Sequence, residues 1–264
     1  MGYFRDSRRI VVKVGTSTLT HPTGHLNLRR IEKLVKVLSD MKNSGIQIIL
    51  VSSGAVSAGV AKLGFGMIPD SPEIKQAMAA VGQSELMKIY DKFFSDYGHK
   101  VAQILMTKDV LTNPDRKSAA ENTFNRLLEM NCIPIVNEND SVSTDELTKF
   151  GGNDILSAHV ATLCEADLLI NLSDVDGLYD ADPRSNPDAR LIDRVEHIDD
   201  VYATAGGAGT SRGTGGMIAK LNAAGIVTSA GIPMFILNGH DPEVLYALLD
   251  GAHIGTYFCA EERK

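Results

Sequence analysis

Two lysines lie in settings that suit a phosphate group. Lys13 falls inside the apolar run Arg9–Val14 (RIVVKV), and Gly15 follows where that run ends. A lysine within an apolar strand is costly unless its charge finds a partner, and a glycine at the strand end lets backbone approach an anion closely. The plain alternative is an edge-strand lysine that reaches water along its own stem. Lys220 closes the run Gly206–Lys220 (GGAGTSRGTGGMIAK), in which six of the first eleven residues are glycine. Such a run offers a nest of backbone donors opening onto a helix start at Gly216, with Lys220 one turn in and able to reach back. The plain alternative here is a flexible linker.

Four further clusters also follow apolar runs or open helical ones. Ser52, Ser53 and Gly54 come directly after IQIILV, where small residues expose N–H groups to an anion or a serine simply caps the next helix. Asn137, Glu138, Asn139 and Asp140 follow IPIV, and clustered amides and carboxylates suit an ammonium-bearing ligand or form an ordinary polar turn. Gly152, Asn153 and Asp154 open a helical stretch, so Asn153 or Asp154 is expected to cap it, and Asp154 could hold a cation or a pair of lysines. Ser173 and Asp174 follow LLINL, where a nucleoside could rest or a simple turn could form.

Elements must hold these groups in place. Apolar runs at 9–14, 46–51, 101–106, 133–136, 168–172, 233–237 and 256–258 read as strands. Stretches 28–42, 56–63, 74–97, 119–130, 155–163, 217–230 and 242–249 read as helices. Near-continuous apolar strands alternating with amphipathic helices predict a three-layer αβα sandwich around a mostly parallel sheet, with the site on loops at the carboxyl ends of the strands. The 264 residues carry 26 Lys and Arg against 33 Asp and Glu, a net charge of −7, which argues against a nucleic-acid partner. The longest apolar stretches fall far short of the roughly 20 residues a membrane span needs. Three widely spaced cysteines and no apolar leader point to a reducing, cytoplasmic setting.

Paired cations, a glycine nest and an acidic cluster together suggest phosphoryl transfer, which rests on positioning and charge neutralisation. A carboxylate acceptor, with a pKa of about 4.3, is already ionised at neutral pH and requires no general base. On the segments VVKVGTS, VSSGAVSAG, AAVGQSELM, IPIVNENDSVS, GGNDILSA, SDVDGLYDADPR and GTGGMIAK, the chain resembles the glutamate 5-kinase family of the amino-acid kinase superfamily.

The resemblance implies ATP-dependent phosphorylation of the L-glutamate side chain, the first step toward proline, with Mg²⁺ accompanying ATP through protein ligands that are not assigned. It implies Lys13 and Lys220 on the phosphates, with Asp154 orienting them. Ser53, Gly54, Asp140 and Asn153 would hold glutamate. Gly15, Ser173, Asp174, Thr214, Gly215, Gly216 and Met217 would join the two lysines around the nucleotide. It further implies one kinase domain over 1–264, with a substrate lobe over about 1–165 and a nucleotide lobe over about 166–264. The additional C-terminal PUA domain that many members carry is not expected. Feedback inhibition by L-proline and assembly into dimers or tetramers complete the implied picture. The rival readings are another kinase of the superfamily, acting on acetylglutamate, aspartate, carbamate or a nucleoside monophosphate, and a non-catalytic amino-acid or nucleotide sensor.

Overall fold

The computed structural model describes residues 7–67, 70–143, 150, 152–183, 185–206 and 215–261. In chain order the elements are β1 (Arg9–Val14), α1 (Thr16–Leu19), α2 (Leu28–Asn43), β2 (Gln47–Ser52), α3 (Ala55–Leu63), α4 (Pro72–Asp96) and β3 (Lys100–Met106). Then come α5 (Asp109–Thr112), α6 (Pro114–Glu129), β4 (Cys132–Glu138), α7 (Asn153–Leu163), β5 (Leu168–Ser173), β6 (Leu178–Tyr179), β7 (Leu191–Ile192) and β8 (Arg194–Val195). The chain continues through α8 (Ile198–Gly206), α9 (Gly215–Ser229), β9 (Met234–Asn238), α10 (Val244–Leu249) and β10 (Thr256–Phe258).

Eight strands form one sheet in the order β3-β4-β2-β1-β5-β9-β10-β8. All neighbours run parallel except β9 and β10. β1 sits between β2 and β5, and the connections leaving β1 and β5 run to opposite sides of the sheet. The crevice at their carboxyl ends is the point where ligands bind in open sheets of this kind.

Because side chains alternate along a strand, β1 feeds both faces. Val11 joins a buried cluster with Val51, Leu169, Leu156 of α7 and Leu221 of α9. Val12 joins the opposite cluster with Leu50, Ile170, Leu34 of α2 and Leu86 of α4. Lys13 shares the parity of Val11, so it points toward the layer of α7 and α9. Asn171, its register partner on β5, points the same way.

α3 and α4 meet through glycines. A Cβ at Gly82 would lie 1.8 Å from the Ala55 carbonyl oxygen and 2.3 Å from the Gly59 nitrogen, both backbone atoms that cannot swing aside. Gly82→Ala is therefore expected to force the helices apart at a cost of about 1–3 kcal/mol, lowering the melting temperature by roughly 2–12 °C. A calorimetric melt of the variant checks this.

Candidate active site

The carboxyl ends of β1, β2 and β5 lie side by side. The Ser53 N–H donates to the Val14 carbonyl at 3.1 Å, and the Gly15 N–H to the Leu172 carbonyl at 3.4 Å. Above them, α3 and α7 begin without a side-chain cap. Their N-cap residues are Gly54 and Gly152, at φ of 100° and 108°, a region that glycine enters without a Cβ penalty. This corrects the expectation that Asn153 or Asp154 caps the second helix, and of the two readings of Ser52, Ser53 and Gly54 it sets aside the serine cap. With glycine in the cap, those side chains are released to bond elsewhere.

Asp154 occupies the centre. Its Oδ1 lies 2.7 Å from Lys13 Nζ and its Oδ2 lies 3.5 Å from Lys220 Nζ. Two lysines more than 200 residues apart in sequence thus face one carboxylate. The amide of Asn171 donates a further bond to Asp154 Oδ1 at 2.6 Å. Lys220 also donates to the Gly216 carbonyl at 3.2 Å, one turn back along α9. A Cβ at Gly15 would stand 3.6 Å from Lys13 Nζ, in van der Waals contact, so the glycine packs directly against that ammonium.

Burial dominates the electrostatics of Lys13. Desolvation pushes its pKa below the ordinary lysine value, the nearby Lys220 charge adds to that, and Asp154 works against both. Burial alone would raise the Asp154 pKa, but the two ammonium groups outweigh it and hold the carboxyl below its ordinary value. If turnover requires protonated Lys13, kcat/KM for ATP, which reports the ligand-free protein, falls on the alkaline side below the ordinary lysine pKa of about 10.4. A profile of kcat/KM for ATP against pH checks this expectation, and a limb at or above that value contradicts it.

A second polar chain adjoins the first. Asn153 Nδ2 donates to Ser53 Oγ and to Asn137 Oδ1, both at 2.9 Å. Asn137 in turn accepts the Glu138 backbone N–H at 2.9 Å and donates to Gln83 Oε1 at 3.0 Å. Glu138 accepts the Phe150 backbone N–H at 2.9 Å, tying the residues before α7 to the end of β4. Asp140 follows β4 and, together with Gln83, lines a cavity of about 620 Å³.

The remaining candidates fall as follows. Ser173 ends β5 and donates to Asp174 Oδ1 at 3.2 Å. Asp174 is exposed but close enough for its charge to act on Lys13. Gly215 and Gly216 open α9, and Met217 packs against the core. Thr214, and the glycine-rich stretch 207–214 that contains it, lie outside the described residues. The structure therefore joins Lys13, Asp154 and Lys220 in one group and Ser53 and Asn153 in the adjoining one.

Sequence reasoning gave no role to Asn171 or Gln83, and placed Asn137 only within a polar cluster suited to an ammonium-bearing ligand. A buried asparagine inside LLINL was the available signal for Asn171, because a polar amide there requires a partner. Among the described residues no three His, Cys, Asp or Glu side chains gather into a metal-holding group.

A buried acid between two lysines, at the carboxyl edge of a parallel sheet, is a site for an anion whose charge must be met from two sides. The chain belongs to the amino acid kinase family, whose family model matches residues 8–238. It is 54% identical over 262 residues to the glutamate 5-kinase of Clostridium perfringens, covering 98% of this chain and 97% of that protein. It is 48% identical over 264 residues to the glutamate 5-kinase of Listeria monocytogenes, covering 98% and 96%. The fold also matches the solved structure of a carbamate kinase from Giardia lamblia bound to AMP-PNP, with a TM-score of 0.69 at 15% identity over 97% of this chain and 99% of that one. A UMP kinase from Bacillus anthracis matches with a TM-score of 0.64 at 17% identity over 97% and 98%.

Proposed function

We propose that this protein transfers the γ-phosphoryl group of ATP to the side-chain carboxylate of L-glutamate, giving L-glutamyl 5-phosphate and ADP, and so opens the route to proline. The convergence of Lys13 and Lys220 on Asp154 carries the chemistry. The curated relatives at about half identity over nearly the full chain carry the choice of glutamate.

In this reading Lys13 and Lys220 exchange part of their contact with Asp154 for the phosphoryl oxygens. A bond forms between a glutamate carboxylate oxygen and the γ-phosphorus as the bond from that phosphorus to the β,γ-bridging oxygen breaks. The charge that spreads over the phosphoryl oxygens and the leaving ADP is met by the two ammonium groups, already desolvated and fixed in place. Asp154 keeps the two lysines from repelling each other apart before ATP arrives. The acceptor oxygen is ionised, so no residue need take its proton.

Ser53, Gly54, Asp140 and Asn153 hold glutamate in this proposal, with the Asp140 carboxylate toward the ammonium. Gly15, Ser173, Asp174 and the segment Thr214–Lys220 hold the nucleotide. Residues of about 1–165 supply the substrate side, with Lys13 and Gly15 reaching across to the phosphates, and residues of about 166–264 supply the rest of the nucleotide side of one shared sheet. Any Mg²⁺ that accompanies ATP would be held mostly by the phosphates and water rather than by a dedicated group of side chains among the described residues, and would supply neutralisation of phosphate charge. Inhibition by proline, assembly into dimers or tetramers and a cytoplasmic setting belong to the same proposal.

The test is ADP release from ATP with and without L-glutamate, with hydroxylamine trapping the acyl phosphate. Glutamate-dependent release with matching hydroxamate is expected. Equal release without glutamate, or a preference for acetylglutamate, aspartate or carbamate, contradicts the proposal.

A further inference from the structure

The second polar chain has a fixed direction. A backbone N–H cannot turn round, so the Glu138 N–H compels Asn137 to present its oxygen on that side. Asn137 must then offer its NH₂ to Gln83, which answers with Oε1. Gln83 is thereby left with its own NH₂ facing elsewhere. That residue is 7% exposed, and its Nε2 has no hydrogen-bond partner among the described residues. A buried donor left unpaired costs free energy and calls for a partner, which an ordered water, an ion or a ligand can supply.

The surroundings of that donor suggest its partner. Gln83 lines the cavity of about 620 Å³ with Ala55, Asn139, Asp140 and Ser141 at one end, and the cavity extends along α4 and β3 to Lys88 and Gln103; the Lys88 ammonium is largely exposed and lies beside Glu85. Asp140 brings a carboxylate to the same space. An α-amino acid carries an ammonium and a carboxylate on one carbon, so a site that takes the ammonium at a carboxylate needs a donor close by for the other group. The close crossing of α3 and α4 at Gly59 and Gly82 fixes the backbone immediately before Gln83.

We propose that Gln83 is a specificity-determining residue whose side-chain NH₂ donates to the α-carboxylate of the amino-acid substrate, while its oxygen locks the Asn137–Asn153 chain that leads to Ser53. The proposal rests on the glutamate reading above and deepens it. It separates the two ends of the substrate: the γ-carboxylate goes to the lysine pair and the α-carboxylate to Gln83.

The experiment compares wild-type protein, Gln83→Glu and Gln83→Leu, using L-glutamate and its α-amide as acceptors. The α-amide keeps the γ-carboxylate and the ammonium but lacks the α-carboxylate charge. Gln83→Leu is expected to raise KM for glutamate roughly 10–100-fold, the usual consequence of losing one hydrogen bond to a charged group. The KM for ATP is expected to stay within about twofold, and the preference for glutamate over the α-amide to collapse by a similar factor.

Gln83→Glu keeps an oxygen for Asn137 but sets one carboxylate against another, so its KM for glutamate is expected to rise at least as far. A Gln83→Glu variant with wild-type KM overturns the proposal, since only the bond to Asn137 would then matter. So does an unchanged preference over the α-amide in either variant. If Gln83→Leu fails to fold, Gln83→Glu alone decides. Wild-type protein that uses L-glutamate and its α-amide equally well leaves the kinase reading standing and removes this inference; wild-type protein silent with glutamate removes both.

Discussion

Lys220→Ala is expected to lower kcat by about 10²–10³-fold, the usual loss when one preorganised donor to developing charge is removed. The KM for glutamate should change far less, because in the proposed mechanism the ammonium meets charge on the moving phosphoryl group and not the amino acid. Lys220 lies in a restricted space, with its side chain 10% exposed and bonded to both Asp154 and the Gly216 carbonyl. A small molecule of water in place of that stem would bring no fixed positive charge. Steady-state kinetics with each substrate varied in turn separates the two parameters. Equal loss in kcat and in glutamate affinity would contradict a role realised in the transition state.

Asp154→Asn is the second large effect. The substitution keeps shape and removes the charge that both lysines share. Two ammonium groups, 5% and 10% exposed at the side chain, would then face each other without a counter-charge. Breaking a buried pair by removing one partner costs about 3–5 kcal/mol. For a chain of this length that corresponds to a melting temperature lower by roughly 6–20 °C.

The direction with pH follows from the Asp154 pKa. It is held below its ordinary value in the folded protein, so the unfolded chain binds more protons at acid pH. The stabilising contribution is present in full above the unfolded pKa of about 3.9 and is lost as pH falls through the folded value. The variant lacks that contribution, so its deficit relative to wild type should be largest at neutral pH and shrink in acid. ATP supplies new negative charge to the lysines, so it should raise the melting temperature of Asp154→Asn more than that of wild type. Melts from pH 3 to 7, with and without ATP, check both statements. A deficit independent of pH would place the damage elsewhere.

The sheet was legible because its strands are buried on both faces and read as unbroken apolar runs. β1 and β10 lie where those runs predict them, and the other main strands differ by a residue or two at their ends. α1, α5, α8 and the short strands β6, β7 and β8 went unread. The helices are four to nine residues long and the strands two, so their apolar spacing is too brief to establish a period.

The site was legible in part. Lys13 stands out as a charge inside a strand, and Lys220 as the cation following a glycine nest. That both reach Asp154 depends on β1, α7 and α9 lying against one another, which no local pattern encodes. The polar chain through Asn137 to Gln83 went unread for the same reason. It joins the turn after β2, α4, β4 and α7 across as many as 100 residues, through amides whose types alone say nothing about which way they face.

The central claim is that Lys13 and Lys220 act on one phosphoryl group. It is tested most directly by single-turnover transfer from γ-labelled ATP to L-glutamate, trapped by hydroxylamine, in wild type, Lys13→Ala, Lys220→Ala and the double variant. Side chains that share a target couple, whereas independent ones add. The expected result is a loss of about 10²–10³-fold in each single variant and a double-variant loss well short of the product of the two. A double variant that loses the full product, or either single variant that transfers at the wild-type rate, would contradict it.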